Sequence, residues 1–355
     1  MRGFGTMLRL PGWKALVFCL AVAPVCGVTG AEPGLRFEAE RLPGLTRPVQ
    51  HDAGSLRFVV LADRAGGHRP GVFEAAVRRA ELLDPEFVLT VGDLIEGYAD
   101  DPGRIEAQWD ELEAATGEIK APVLFTPGNH DISNAVMQRH WRQRHGPEYF
   151  HFVYKGVLFL VLSTEDPPPA VPQAEVDAIL AERKRVEALE SVDPERAVQV
   201  AAALKERMAP FGASFISDEQ TDAMLAAIDR HEDVRWTFVL MHKPAWGEPY
   251  THENFDRIEA ALADRPYTMV AGHRHRYQHR QRNGRAHLTL ATCGGALHGE
   301  PDRNAFDHML LVTLREGEEA PAYANILLGG IFDETGPDDG APEFRNPASR
   351  KAAAE

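Results

Sequence analysis

The chain has 355 residues, of which 44% are hydrophobic and 26% charged, and its formal net charge is −15. The composition is that of a globular protein able to bury one large α/β core or two modest ones. So acidic a balance argues against nucleic acid and anionic membranes as partners unless a local basic patch intervenes.

The first 31 residues differ from the rest. Arg2, Arg9 and Lys14 precede the apolar stretch Ala15 to Ala23, and the small residues Gly27, Thr29, Gly30 and Ala31 follow. This order reads as a secretory signal peptide, so the chain is expected to be secreted or periplasmic; a retained N-terminal anchor is the alternative. The stretch is short for a membrane span, and none is expected after cleavage. Cleavage also removes Cys19 and Cys26. Cys293 then stands alone and is read as a small buried apolar residue. Residues 32–54 are expected to form a strap and residues 333–355 a disordered tail, leaving 55–332 as the working body.

Within that body, apolar runs and helical spacing alternate. Leu56 to Leu61 reads as a buried strand, 70–83 as a helix, Phe87 to Val91 as a strand, 104–115 as a helix, and Val123 to Thr126 as a third strand. Such alternation implies a sheet covered on both faces. A helix over 133–144 is followed by a hairpin, 150–154 and 157–162, turning at Lys155-Gly156. Residues 170–212 read as a helical insertion broken at Asp193-Pro194, either a solvated hairpin or a lid over a cleft. Ser217 to Gln220 reads as a capping box opening a helix to about His231. Strands at 235–241 and 267–271 flank a helix near 255–262. Candidate strands at 277–282, 286–292, 308–314 and 322–328 complete the body.

Five strand ends deliver polar residues: Asp63, Asp93, Asn129-His130-Asp131, His242, and His273-Arg274-His275. In an α/β sheet these ends converge on one crevice. Carboxylates, imidazoles and an amide oxygen suit divalent ions such as Zn²⁺, Mn²⁺ or Fe²⁺. The ligands exceed the need of one tetrahedral ion, and two ions bridged by one carboxylate fit better.

The order Asp63, Gly92-Asp93, Gly128-Asn129-His130-Asp131, His242, Gly272-His273-Arg274-His275 resembles the calcineurin-like metallophosphoesterase superfamily over roughly residues 56–330. The resemblance implies a four-layer α/β/β/α sandwich with a dinuclear metal site. It implies that Asp93 bridges both metals, that Asp63 and His275 serve the first, and that Asn129, His242 and His273 serve the second. It places His130 near the leaving group with Asp131 as its orienting partner. Where the family has Asp-x-His, this chain reads Asp63-Arg64-Ala65, so the first metal loses an imidazole. Glu96 and, more weakly, His68 are candidates to replace it. Arg64 is expected either to hold a phosphate oxygen or to pair with a neighbouring acid.

The expected chemistry is hydrolysis of a phosphate mono- or diester, small or macromolecular. Two metals neutralise the phosphate and supply a bound hydroxide, and His130 acts as acid to the leaving group. A degenerate metal- or phosphate-binding module on the same fold is the alternative. The basic run Arg274, Arg276, Arg280, Arg282 and Arg285 is either an exposed strand or a positive funnel toward the site.

Overall fold

A computed structural model describes residues 35–37, 55–297, 304–328 and 330–333. The expected signal peptide, nearly all of the strap and nearly all of the tail lie outside the described residues. In chain order the elements are β1 (Leu35–Phe37), β2 (Ser55–Leu61), α1 (Val72–Leu82), β3 (Phe87–Thr90), α2 (Pro102–Thr116), β4 (Val123–Leu124) and α3 (Ala135–Arg144). Next come β5 (Phe150–Tyr154), β6 (Val157–Val161), α4 (Gln173–Glu190), α5 (Pro194–Gly212), α6 (Asp218–Arg230), β7 (Trp236–Leu240), α7 (Glu253–Ala261) and β8 (Tyr267–Ala271). The last described elements are β9 (Gln278–Arg282), β10 (Arg285–Thr289), β11 (His308–Arg315), β12 (Ala322–Leu327) and β13 (Gly330–Asp333).

The strands make two sheets, ordered β1-β5-β6-β7-β8-β10-β9 and β13-β12-β11-β2-β3-β4. In the first, β6, β7, β8 and β10 run parallel; in the second, β2, β3 and β4 do. The apolar runs explain this arrangement. Strands buried on both faces need no polar alternation, and β3, β6, β7 and β8 are buried throughout.

The sheets face each other across aromatic rings. Phe58 and Phe87 from the second sheet meet Phe152, Phe159 and Phe238 from the first, with centroids 5.1–5.8 Å apart. Burying one such ring contributes about 1.5–3 kcal/mol. On the outer face of the first sheet, Leu158, Leu160, Val239 and Met269 pack with Met224, Ile228, Phe255 and Ile258 of α6 and α7. The α/β/β/α sandwich follows from these contacts, because each sheet buries one face against the other and one against helices.

Local chemistry sets the helix ends. Asp101 caps α2 through the Arg104 amide, with Pro102 in the first turn, and Asn134 caps α3. Ser217 caps α6, but the expected capping box is only half made. Gln220 instead uses its amide on both backbone groups of Ser163, at 2.9 and 3.1 Å, tying α6 to the end of β6. The helical insertion is a hairpin of α4 and α5 whose break falls at Asp193, the cap of α5. Its buried residues Val176, Ile179, Leu204 and Phe211 form a small core of their own. Among the described residues no helix is long and apolar enough to cross a membrane.

Candidate metal centre

The polar strand ends meet in one place, where several residues adopt backbone conformations that side chains rarely take. Asp93, His273 and His275 have φ of 54°, 73° and 50°. Each costs about 1–3 kcal/mol and is held only because its surroundings over-determine it. Two glycines allow the close approach. A Cβ at Gly128 would collide with the Asp93 carboxylate, and one at Gly272 with Asp63 Oδ1. The Gly-Asn-His and Gly-His-x-His patterns therefore have a steric reason for their glycines.

Two groups of side chains could each hold a cation. Asp93, His242 and His273 form one; Asp63, Asp93 and His275 form the other; within each group the donor atoms lie within 4.8 Å of one another. Asp93 belongs to both. Asn129 extends the first group: its Oδ1 lies 3.0 Å from His242 Nε2, while its Nδ2 donates to Tyr98 Oη at 2.8 Å. The amide oxygen is thereby turned toward the imidazoles.

The donor chemistry fits cations. His242 Nε2 is 3.1 Å from Asp93 Oδ2, 3.0 Å from Asn129 Oδ1 and 3.0 Å from His273 Nδ1. One ring nitrogen has at most one proton and cannot satisfy three acceptors. Asp63 Oδ1 is buried with no hydrogen-bond partner among the described residues. Such an orphaned carboxylate oxygen is costly unless a positive charge faces it. The other ring nitrogens are already committed. His242 Nδ1 pairs with the Val91 carbonyl at 2.8 Å and His275 Nδ1 with the Ala296 carbonyl at 2.6 Å. Each Nδ1–H donates outward, so Nε2 faces the carboxylates and would offer its lone pair to a cation once deprotonated, the arrangement expected of metal-ligating histidines.

Electrostatics follow from this crowding. Burial raises Asp93, but the charges of His242 and His130 outweigh it and hold the carboxyl well below its usual range. Burial lowers His242, and the adjoining Asp93 carboxylate reverses this, pushing it up to about 9. Burial and the charge of His242 keep His273 well below its ordinary value. In the metal-free chain a proton on His242 therefore partly offsets the negative charge that a cation would neutralise.

His130 sits on the cavity side of this cluster. Its backbone N–H donates to Asp93 Oδ1 at 2.9 Å, its Nδ1 is 2.8 Å from the Glu96 carbonyl oxygen, and its Nε2 is 4.0 Å from Asp93 Oδ2. The Tyr98 ring stands edge-on at 4.7 Å. Asp131 does not orient this imidazole. Its carboxylate accepts from the backbone of Leu94, Ile95 and Gly128 at 2.8–3.1 Å, clamping the loop after β3 to the loop after β4. The Nδ1 partner of the ring is the Glu96 main chain, because both Asp131 oxygens are taken by backbone amides.

Of the two roles expected of Arg64, phosphate ligand or partner of an acid, the structure shows the second. The guanidinium is buried, donates to the Leu94 carbonyl at 3.1 Å, and pairs with Glu111 on α2. Glu96 and His68 do not replace the missing imidazole of Ala65. Glu96 is exposed and its Oε1 accepts from the Gly67 and His68 amides. Neither residue joins a candidate metal group. The basic run stands apart from the cavity lining. None of its five arginines lines the cavity at the site; Arg282 pairs with Glu259, and Arg274 donates to the Glu248 carbonyl.

Several site residues carry no motif. Tyr98 is one. Another pair is Lys243 and Glu165, fully buried, with Nζ 2.8 Å from Oε1 and a further donation to the Ala213 carbonyl at 2.6 Å. This pair ties the ends of β6 and β7 to the base of the helical hairpin. Glu165 lies just past an apolar strand, as Asp63 and Asp93 do, so its position was the available signal. The hairpin itself lines a cavity of about 960 Å³ that also takes in Asp93, Asn129, His130, His273 and His275.

A sequence model of the calcineurin-like phosphoesterases matches residues 56–277. The chain belongs to that family. It is 35% identical over 103 residues to the serine/threonine-protein phosphatase CPPED1 of Bos taurus, a match covering 26% of this chain and 31% of that protein. With CPPED1 of Danio rerio the identity is 34% over 156 residues, 37% of this chain and 50% of that protein. The chain thus spans about a third to a half of the length of these curated relatives. Among solved structures, a dimetal phosphatase from Danio rerio superposes with a TM-score of 0.51 at 14% identity, covering 79% of this chain and 99% of that one. That likeness concerns the fold.

Proposed function

We propose that this calcineurin-like phosphoesterase is a metal-dependent hydrolase of phosphate esters. The observation that carries the reading is Asp93, whose carboxylate belongs to two cation-holding groups while His130 faces the adjoining cavity. Asp63, Asp93 and His275 would hold one ion; Asp93, Asn129, His242 and His273 would hold the other. When bound, divalent ions neutralise phosphate oxygens and activate water for attack near neutral pH.

The chain's own residues supply the rest. Glu96 fixes the His130 ring by accepting from Nδ1–H, so Nε2 is the atom that exchanges a proton with the leaving oxygen. Asp131 holds the β3 and β4 loops in register, which keeps Asp93 and His130 at a fixed separation. Tyr98 aims the Asn129 oxygen inward. The N-terminal charge pattern supports an exported protein.

A second reading, a binding module without efficient hydrolysis, is favoured by one feature: Ala65 stands fully buried where the family has a ligating histidine. Hydrolysis of p-nitrophenyl phosphate and bis-p-nitrophenyl phosphate with added Mn²⁺ or Zn²⁺ separates the two. The hydrolase reading expects metal-dependent turnover of at least one ester. Metal binding with no turnover of either favours the module.

A further inference from the structure

The cavity beside His130 has two unlike ends. One is polar and formed by the candidate metal ligands. The other is the inner face of the α4–α5 hairpin, where Val176, Ile179, Leu180, Leu204, Met208 and Phe211 line the wall. The polar side chains that the hairpin adds to the lining are Arg183 and Lys205, both cationic. Asp93 is the one carboxylate among the described lining residues. At about 960 Å³ the space is as large as pockets that enclose whole small molecules.

These properties select a ligand class. An anionic head suits the polar end and the metal ions its residues would hold. A nucleoside or a phosphopeptide would bring ring nitrogens, hydroxyls or main-chain amides to the far wall. The only polar side chains the hairpin adds to the described lining, Arg183 and the exposed Lys205, donate and cannot accept, so the N–H and O–H donors of such ligands would be buried there without a hairpin acceptor, which is penalised. An aliphatic chain suffers no such loss. The apolar wall also runs up to the proton donor, since Phe211 meets the Tyr98 ring at 5.5 Å and Tyr98 meets His130 at 4.7 Å.

We propose that the site takes a lipid phosphate: a phosphate ester whose leaving group is a long aliphatic chain lying along the hairpin. The proposal rests on the hydrolase reading. Water adds its oxygen to phosphorus, and the bond from phosphorus to the chain oxygen breaks. The chain leaves as an alcohol with the proton from His130 Nε2. One water proton stays on the phosphate and the other restores His130.

The test uses the full chain loaded with Mn²⁺ and a series of monoalkyl phosphates from ethyl to decyl, each below its micelle concentration, with p-nitrophenyl phosphate beside them. Calorimetry with the matching alkylphosphonates, whose carbon–phosphorus bond is not hydrolysed, gives affinity independently of turnover. Both kcat/KM and affinity are expected to rise about twofold to fourfold per methylene over several carbons. Leu180→Asn and Val186→Asn, both at residues of the cavity lining and each checked for unchanged circular dichroism, are expected to flatten that slope; either alone suffices if the other misfolds. A flat series with normal turnover of p-nitrophenyl phosphate overturns the lipid proposal and leaves the hydrolase reading intact. So does a slope that neither variant changes. Rising phosphonate affinity without turnover of any ester keeps the apolar phosphate site and overturns hydrolysis. A flat series with no turnover overturns both.

Discussion

The imidazole of His130 is held by the main chain of Glu96, with Nδ1 2.8 Å from that carbonyl oxygen. A carbonyl accepts but never donates, so the proton on Nδ1 is fixed and Nε2 is left for the cavity. The ring is not among the groups that could hold a cation. Replacing it should therefore separate chemistry from metal binding. His130→Ala is expected to lower turnover by about 10²–10⁴-fold with metal content unchanged. Elemental analysis beside steady-state kinetics checks this; an equal loss of both would make His130 a ligand or a structural residue.

Asp131 is expected to act on stability rather than on the proton transfer. Its carboxylate is fully buried and accepts three backbone N–H groups. Asp131→Ala leaves those donors unpaired, at about 1–3 kcal/mol each before any relaxation. The urea midpoint should fall clearly, and turnover per bound metal should change far less than in His130→Ala. A variant as stable as the native chain but inactive would restore Asp131 to the catalytic step.

Tyr98 positions a ligand without being one. Its hydroxyl accepts from Asn129 Nδ2 and so fixes which end of that amide faces His242. Tyr98→Phe should weaken metal binding by about 10–100-fold, as loss of a group supporting a ligand does. Metal titration by calorimetry measures this. An unchanged affinity would mean that Asn129 is oriented by other contacts.

His308 gives a pH dependence away from the site. Its Nε2 accepts from the Ala291 amide at 2.9 Å and its Nδ1–H donates to Asn325 Oδ1 at 2.7 Å, so the buried ring is neutral. Burial lowers it to about 3, against an ordinary value near 6.5. The unfolded chain therefore takes up a proton near pH 6.5 that the folded chain refuses until about pH 3. This linkage lowers stability as pH falls between those values and has no effect above them. In His308→Gln the contribution is absent. Chemical denaturation at pH 7 and pH 4 should show the variant less stable at pH 7, with the gap closing by a few kcal/mol at pH 4. A constant gap would show that His308 does not titrate with folding.

The sequence made some of this legible and hid the rest for physical reasons. Strands buried on both faces leave unbroken apolar runs, and an Asp or His directly after such a run is placed by the sheet itself; Asp63, Asp93 and His242 were readable that way. Asp131 was misjudged and the two readings of Arg64 were left open because the sequence does not record which way side chains on a loop point. Asp131 faces backbone amides and Arg64 faces Glu111. Tyr98 and the pair Lys243–Glu165 depend on contacts between loops distant in the chain, which no local pattern records. The hairpin's helices were visible from their spacing. Whether it stood in solvent or over the crevice turned on Phe211 meeting Tyr98, a contact made across 113 residues of sequence.

Asp93 belongs to both candidate metal groups and, under the proposed function, serves two cations. Elemental analysis of the purified chain, saturated with Mn²⁺ or Zn²⁺ and then desalted, tests it most directly with Asp93→Asn alongside. Two metals per chain in the native protein, with both lost or sharply weakened in the variant, is the predicted result. One metal or none in the native protein would contradict the shared site and mark the position of Ala65 as a lost ligand that nothing replaces.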